Sequence, residues 1–179
     1  DLIEYYLQKY IVNETKFLLN AEDIDLIAFD FDGVLTDNRV LVDENGVESV
    51  FANRSDGLAI SMLKDLGIPV AVISTEKNEV VQKRCKKMKV DCYNGVENKL
   101  IQTKDICFKN NYELEKVMFV GNDLNDIEIM LNVGYPVCPS DANVKIRDIS
   151  KIVLKTLGGN GVALEILTFF GGTGNENKK

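Results

Sequence analysis

Four short apolar runs constrain this chain more than any other feature. Ile24–Phe31, Pro69–Ser74, Val117–Val120 and Tyr135–Cys138 are nearly unbroken, with none of the polar alternation of a half-exposed strand. Runs of that kind belong to strands buried on both faces. Between and around them lie stretches with helical spacing: Leu58–Leu66 closed by Gly67, Glu76–Met88, Lys99–Asn110, and about Asn125 to Asn132. Val90–Tyr93 and Ile152–Val153 add two short strands. Strands alternating with helices predict an α/β fold, a Rossmann-like, mostly parallel sheet with helices on both faces. Val40–Val42 and Val47–Phe51 flank Asp43-Glu44-Asn45-Gly46, which predicts a β-hairpin. In such sheets ligands bind at the carboxyl ends of the strands.

The residues just after each apolar run therefore carry the functional information. After the first run comes Asp30-Phe31-Asp32-Gly33-Val34-Leu35-Thr36-Asp37, and after the second comes Ser74. Lys99 opens a helix, and Gly121-Asn122-Asp123-Leu124-Asn125-Asp126 comes after Val120. The topology brings two carboxylates at i and i+2, a hydroxyl, a lysine and a second acidic cluster to one edge of the sheet. That set suits phosphoryl transfer. A carboxylate can attack phosphorus and split one difficult step into two. A second carboxyl can protonate the leaving oxygen and then take a proton from water. Lysine and hydroxyl stabilise charge on the phosphoryl oxygens. Carboxylates and a carbonyl oxygen can hold Mg²⁺, a hard ion that prefers oxygen.

Composition removes the competing chemistries. The chain has 179 residues, four cysteines and no histidine. A Ser-His-Asp or Cys-His mechanism is excluded, and zinc sites built on Cys/His pairs are not expected. The net charge of −7 argues against nucleic acid as a partner. No signal peptide and no apolar run of about 18 residues stands out, so neither a membrane partner nor export is expected. Unpaired thiols point to the cytoplasm. The basic run Lys83, Arg84, Lys86, Lys87 and Lys89 reads as a solvated helix face.

The same residues resemble the haloacid dehalogenase superfamily (HAD) over residues 24 to 167. Asp30–Asp37 matches its first motif, Ser74 its second, Lys99 its third and Gly121–Asp126 its fourth. The resemblance implies Asp30 as nucleophile and Asp32 as acid/base. Ser74 and Lys99 would bind phosphate. Asp56, Gly57 and Thr75 would lie on the substrate side, and Asp30, Asp32, Asn122 and Asp123 at Mg²⁺. Ser55-Asp56-Gly57, Gly95–Leu100 and Gly158–Val162 further resemble the subgroup that has no cap domain. That subgroup includes phosphatases of 2-keto-3-deoxy sugar-acid phosphates and the C-terminal domain of some CMP-sialic acid (N-acylneuraminate) synthetases. Membership implies a small sugar phosphate as substrate and a homotetramer whose hairpin, 40–51, closes a neighbour's site. The alternative it implies is an oligomerisation domain of a synthetase with faded phosphatase activity. The chain starts at Asp1 without Met, which suits a piece cut from a longer polypeptide.

Four positions, in three motifs, depart from the family pattern. Thr75 stands where glycine is usual, Asn122 where aspartate is usual, and Asn160 and Leu164 where arginines are usual. Asp37 reads equally as turn former or ligand, and Asp56 as helix N-cap or substrate contact. A phospho-receiver domain would use similar residue types, but it places its acidic pair and its phosphorylated aspartate differently. The phosphatase domain is expected over residues 21–170. A helix or linker is expected over 1–20 and a disordered tail over 171–179.

Overall fold

The computed structural model describes residues 19–170. The helix expected before Leu19 and the tail expected from Gly171 lie outside the described residues. The chain forms β1 (Leu26–Phe29), β2 (Thr36–Val42), β3 (Glu48–Ala52), α1 (Arg54–Asp65), β4 (Val70–Ile73) and α2 (Glu79–Met88). It continues through β5 (Asp91–Tyr93), α3 (Lys99–Asn110), β6 (Val117–Val120), α4 (Ile127–Met130) and β7 (Tyr135–Cys138). It closes with α5 (Val144–Ile149), β8 (Ile152–Val153) and α6 (Val162–Leu167).

Six strands form one parallel sheet in the order β5-β4-β1-β6-β7-β8, and β2 and β3 pair as a separate antiparallel hairpin. The apolar runs are continuous because both sheet faces are covered. Ile27, Phe29, Val72 and Val120 pack under α1, α2 and α6. Leu26, Ala28, Ile73 and Phe119 pack under α3, α4 and α5. Among the described residues no second domain interrupts this layering; the hairpin is the sole excursion between the first and second motifs.

The expected strands β6, β7 and β8 and helix α3 match the structure to the residue. Two helices start elsewhere. α1 begins at Arg54, four residues before the expected Leu58, because the Asn53 side chain accepts the Ser55 N–H and caps it. Asp56, a candidate for that cap, sits inside the first turn instead. α2 begins at Glu79, after Asn78 caps it, rather than at Glu76. α5 and α6 had no expectation at all; each is six residues, too short for a readable helical period.

The register places the chemistry. Phe29 of the central strand pairs with Val72 on one side and Val120 on the other. Asp30 thus leaves the sheet between Ser74 and Gly121, one step beyond each partner strand.

Candidate active site

Asp30 extends the ladder by donating its N–H to the Val120 carbonyl at 2.9 Å. Its side chain is buried at the floor of a cleft of about 350 Å³. One carboxylate oxygen, Oδ1, accepts the Phe31 N–H at 2.7 Å. The other, Oδ2, lies 2.8 Å from Lys99 Nζ. Lys99 is the first residue of α3, which Asn98 caps, so the helix start points this ammonium under the sheet edge. Lys99 also donates to Asp126 Oδ1 at 2.6 Å. Asp126 is fully buried, and its other oxygen accepts the N–H groups of Asn122 (2.9 Å) and Asp123 (3.3 Å).

Two carboxylates thus share one ammonium out of contact with solvent. Burial pushes Asp30 up to about 7; Lys99 opposes the rise and Asp126 adds to it. For Lys99 burial works toward the neutral form, but Asp30 and Asp126 outweigh it and hold the ammonium above its usual range.

Asp32 sits on the cleft wall, half-buried, and burial raises its carboxyl above the usual range. The Thr36 hydroxyl donates to Asp32 Oδ1 at 3.3 Å and accepts the Gly33 N–H at 3.2 Å. Gly33 has φ +80°, and a Cβ there would stand 2.0 Å from the Asn122 amide nitrogen. Only glycine lets the first and fourth motif loops touch this closely. Gly158 and Gly159 close-pack on the same first loop: a Cβ on Gly158 would stand 2.2 Å from the Gly33 carbonyl oxygen.

Ser74 is buried beside Asp30, and its Oγ accepts the Glu76 N–H at 3.1 Å. Thr75 lines the cleft and is not among the residues with positive φ, so the glycine usual there is not needed for backbone reasons. Asn122 and Asp123 line the cleft as well. The structure therefore gathers Asp30, Asp32, Ser74, Thr75, Lys99, Asn122 and Asp123 at one sheet edge.

Asp56 and Gly57 do not line that cleft. Asp56 is buried against α6, where its Oδ1 accepts the Ala163 N–H at 2.9 Å. Gly57 faces Arg84 and Met88. Asp37 accepts the Arg39 backbone N–H at 3.2 Å and pairs with the Arg39 guanidinium, as a turn former does.

From the sequence Asp126 reads only as part of the second acidic cluster near the metal; the structure makes it, with Asp30, a partner of Lys99. The available signal was its spacing: four positions after Asn122, on the short turn that leads into α4.

The oxygen donors suit a hard divalent ion. Asn122 Oδ1 is buried with no hydrogen-bond partner, an acceptor left waiting in a site that carries excess negative charge. Asp30 and Asp32 line the same cleft. No group of three or more cysteine, aspartate or glutamate side chains able to hold a metal occurs among the described residues. The donor set is accordingly lean in carboxylates: Asp123 Oδ1 is already engaged by the Leu124 N–H at 2.7 Å.

A second groove, of about 220 Å³, runs from this cleft beneath the hairpin and shares Asp32, Asn38 and Glu76 with it.

Residues 74–166 match the haloacid dehalogenase-like hydrolase family. The 3-deoxy-D-manno-octulosonate 8-phosphate phosphatase KdsC of Salmonella typhi is 35% identical over 85% of this chain and 81% of its own. A HAD family hydrolase from Streptomyces avermitilis superposes with TM-score 0.83 at 38% identity, over 87% of this chain and 96% of that one. The Moraxella catarrhalis 3-deoxy-D-manno-octulosonate 8-phosphate phosphatase was solved with magnesium, phosphate and KDO. It superposes with TM-score 0.78 at 26% identity, over 92% and 88% of the two chains.

Proposed function

The chain belongs to the haloacid dehalogenase-like hydrolases, and from that membership we propose that it hydrolyses the phosphate monoester of a small 2-keto-3-deoxy sugar acid, with Asp30 as nucleophile. The observation that carries the reading is the buried Asp30–Lys99 contact at the cleft floor, 2.8 Å long. It holds a carboxylate beside a cation at the floor of the cleft.

The chemistry starts at that contact. The Asp30 carboxylate, fixed by Lys99 and the Phe31 N–H, attacks phosphorus and forms an aspartyl phosphate. Asp32 gives its proton to the departing sugar oxygen. It then takes a proton from the water that cleaves the acyl phosphate. Ser74 and Lys99 hold the phosphoryl oxygens. Mg²⁺ is the cofactor; the Asp30 carboxylate, the Asp32 carbonyl and Asn122 Oδ1, with Asp123 beside them, would hold it, and it would offset the repulsion between nucleophile and phosphate.

The test is release of inorganic phosphate from 2-keto-3-deoxy sugar-acid phosphates with Mg²⁺, and its loss with chelator. Asp30→Asn should abolish turnover and keep the fold; phosphate release by that variant above a mock preparation overturns the assignment.

The hairpin supports a homotetramer as the working form. Leu41 is 66% and Phe51 71% exposed, with Val40, Val42 and Val47 beside them, an apolar surface above an open cleft. The four cysteines are free thiols, which suits the cytosol. No helix among the described residues is long and apolar enough to cross a membrane.

Asn122 favours a second reading. An amide in place of a carboxylate weakens the metal site, as expected of a CMP-sialic acid synthetase oligomerisation domain with reduced phosphatase activity. Asn122→Asp creating turnover where the natural chain has none would support it.

A further inference from the structure

Three non-glycine residues adopt a left-handed backbone: Asn38 (φ 62°), Lys89 (φ 56°) and Asn111 (φ 58°). Lys89 and Asn111 are the C-caps of α2 and α3, where that conformation ends a helix in the ordinary way. Asn38 ends no helix; a bulge in its strand is the local reason for its conformation. It lies within β2, where the pairing with β3 slips between Thr36 and Val40. Its N–H donates to Thr36 Oγ1 at 3.4 Å, the same hydroxyl that donates to Asp32. Glycine would hold this backbone with less strain, yet the position carries a carboxamide. That carboxamide is exposed, and no other described residue takes up its hydrogen bonds.

Its location is the second observation. Asn38 borders both the phosphate cleft and the groove beneath the hairpin. The groove is a held shape: Asn78, the N-cap of α2, donates to Glu48 of β3 at 2.8 Å and ties the hairpin over it. Its lining combines polar groups (Arg39, Glu48, Glu76) with apolar ones (Phe31, Val50), which suits a carbon chain bearing hydroxyls. Asn38 stands with Asp32 and Glu76 where the two cavities meet.

We propose that Asn38 is a specificity-determining residue: its carboxamide hydrogen-bonds a hydroxyl of the polyhydroxylated leaving group where that group turns from the cleft into the groove. A carboxamide both donates and accepts, so it can engage a hydroxyl in either sense. The proposal rests on the phosphatase reading above and deepens it.

The experiment compares kcat and KM of the natural chain and Asn38→Gly with Mg²⁺. The substrates are a 2-keto-3-deoxy sugar-acid phosphate and phenyl phosphate, whose leaving group has no further hydroxyl. Glycine suits the left-handed backbone, so Tm should hold or rise. The ratio of kcat/KM for the sugar ester to that for phenyl phosphate should fall about tenfold, mainly through a higher KM for the sugar ester. An unchanged ratio overturns the role of Asn38, as does a natural chain that shows no preference for the hydroxylated ester. Failure of the natural chain to hydrolyse either ester overturns the phosphatase reading instead, and Asn38's role with it.

Discussion

The cleft floor and the hairpin above it handle exposure in opposite ways. At the floor, Asp30, Lys99 and Asp126 are buried charges, and each is bonded to another. Over it, the hairpin of β2, β3 and their turn exposes Leu41, Val42, Val47 and Phe51, with only two strands to support them. An isolated two-stranded hairpin is marginal in water. The floor is the part whose geometry the fold must guarantee before substrate arrives. The hairpin is the part left free to meet something else. A third setting sharpens the contrast: Asp56 is as buried as Asp30, but it has one N–H partner and an unpartnered Oδ2. It caps α6 rather than serving a cation.

The largest expected effect comes from breaking the floor. Lys99→Met leaves Asp30 and Asp126 buried together without a cation. It should cost about 3–5 kcal/mol of stability and remove turnover. Denaturant unfolding measures the first and phosphate release the second. A loss of turnover with unaltered stability would show that the three charges are not coupled as the geometry implies.

Asp56 tests burial without a directly bonded cation. Its folded-state pKa is raised from 3.8 to about 6, chiefly by desolvation, against the Ala163 N–H and Arg84, which lower it. The folded chain therefore holds this proton more tightly than the unfolded chain. Between about pH 4 and pH 6 stability should fall as pH rises, by about 3 kcal/mol from this group, and stay low above that window. Asp56→Asn does not ionise and removes the slope. Urea unfolding of both proteins at about pH 4 and pH 7 should show the variant gaining relative stability at the higher pH. A gap that does not change with pH would mean Asp56 stays solvated.

Asn122 probes how lean the floor's oxygen set is. Asn122→Asp should tighten Mg²⁺ about tenfold, or roughly 1–2 kcal/mol, read by calorimetric titration independent of activity. Superimposable titrations would place Asp123, not Asn122, at the ion.

The hairpin should give the smallest effect on the fold. Leu41→Lys is expected to change unfolding free energy by less than about 0.5 kcal/mol yet dissociate the proposed tetramer in sedimentation. An unaltered assembly would move the interface off β2.

Much of this architecture is legible in the amino-acid sequence. The unbroken apolar runs announce strands buried on both faces, and the residues after them announce the edge where Asp30, Ser74, Lys99 and Asn122 meet. Local chemistry is enough there, because strand periodicity and a motif a few residues long are encoded in neighbouring positions. α5 and α6 are not legible, since six residues span under two turns and pack by contacts made far along the chain. Asp56 looks like substrate machinery by its neighbours Ser55 and Gly57. Only the arrival of α6, more than a hundred residues later, makes it a cap.

The sequence by itself determined the sheet, its functional edge and the reacting residue types, because these depend on local period and on side-chain chemistry. Tertiary structure decided which acid holds Lys99, why Gly33 must be glycine against Asn122, and that Asn38 stands between two cavities. Each of those is a contact or a burial shared by segments distant in sequence, and a desolvated charge or a two-ångström approach exists only once those segments are packed together.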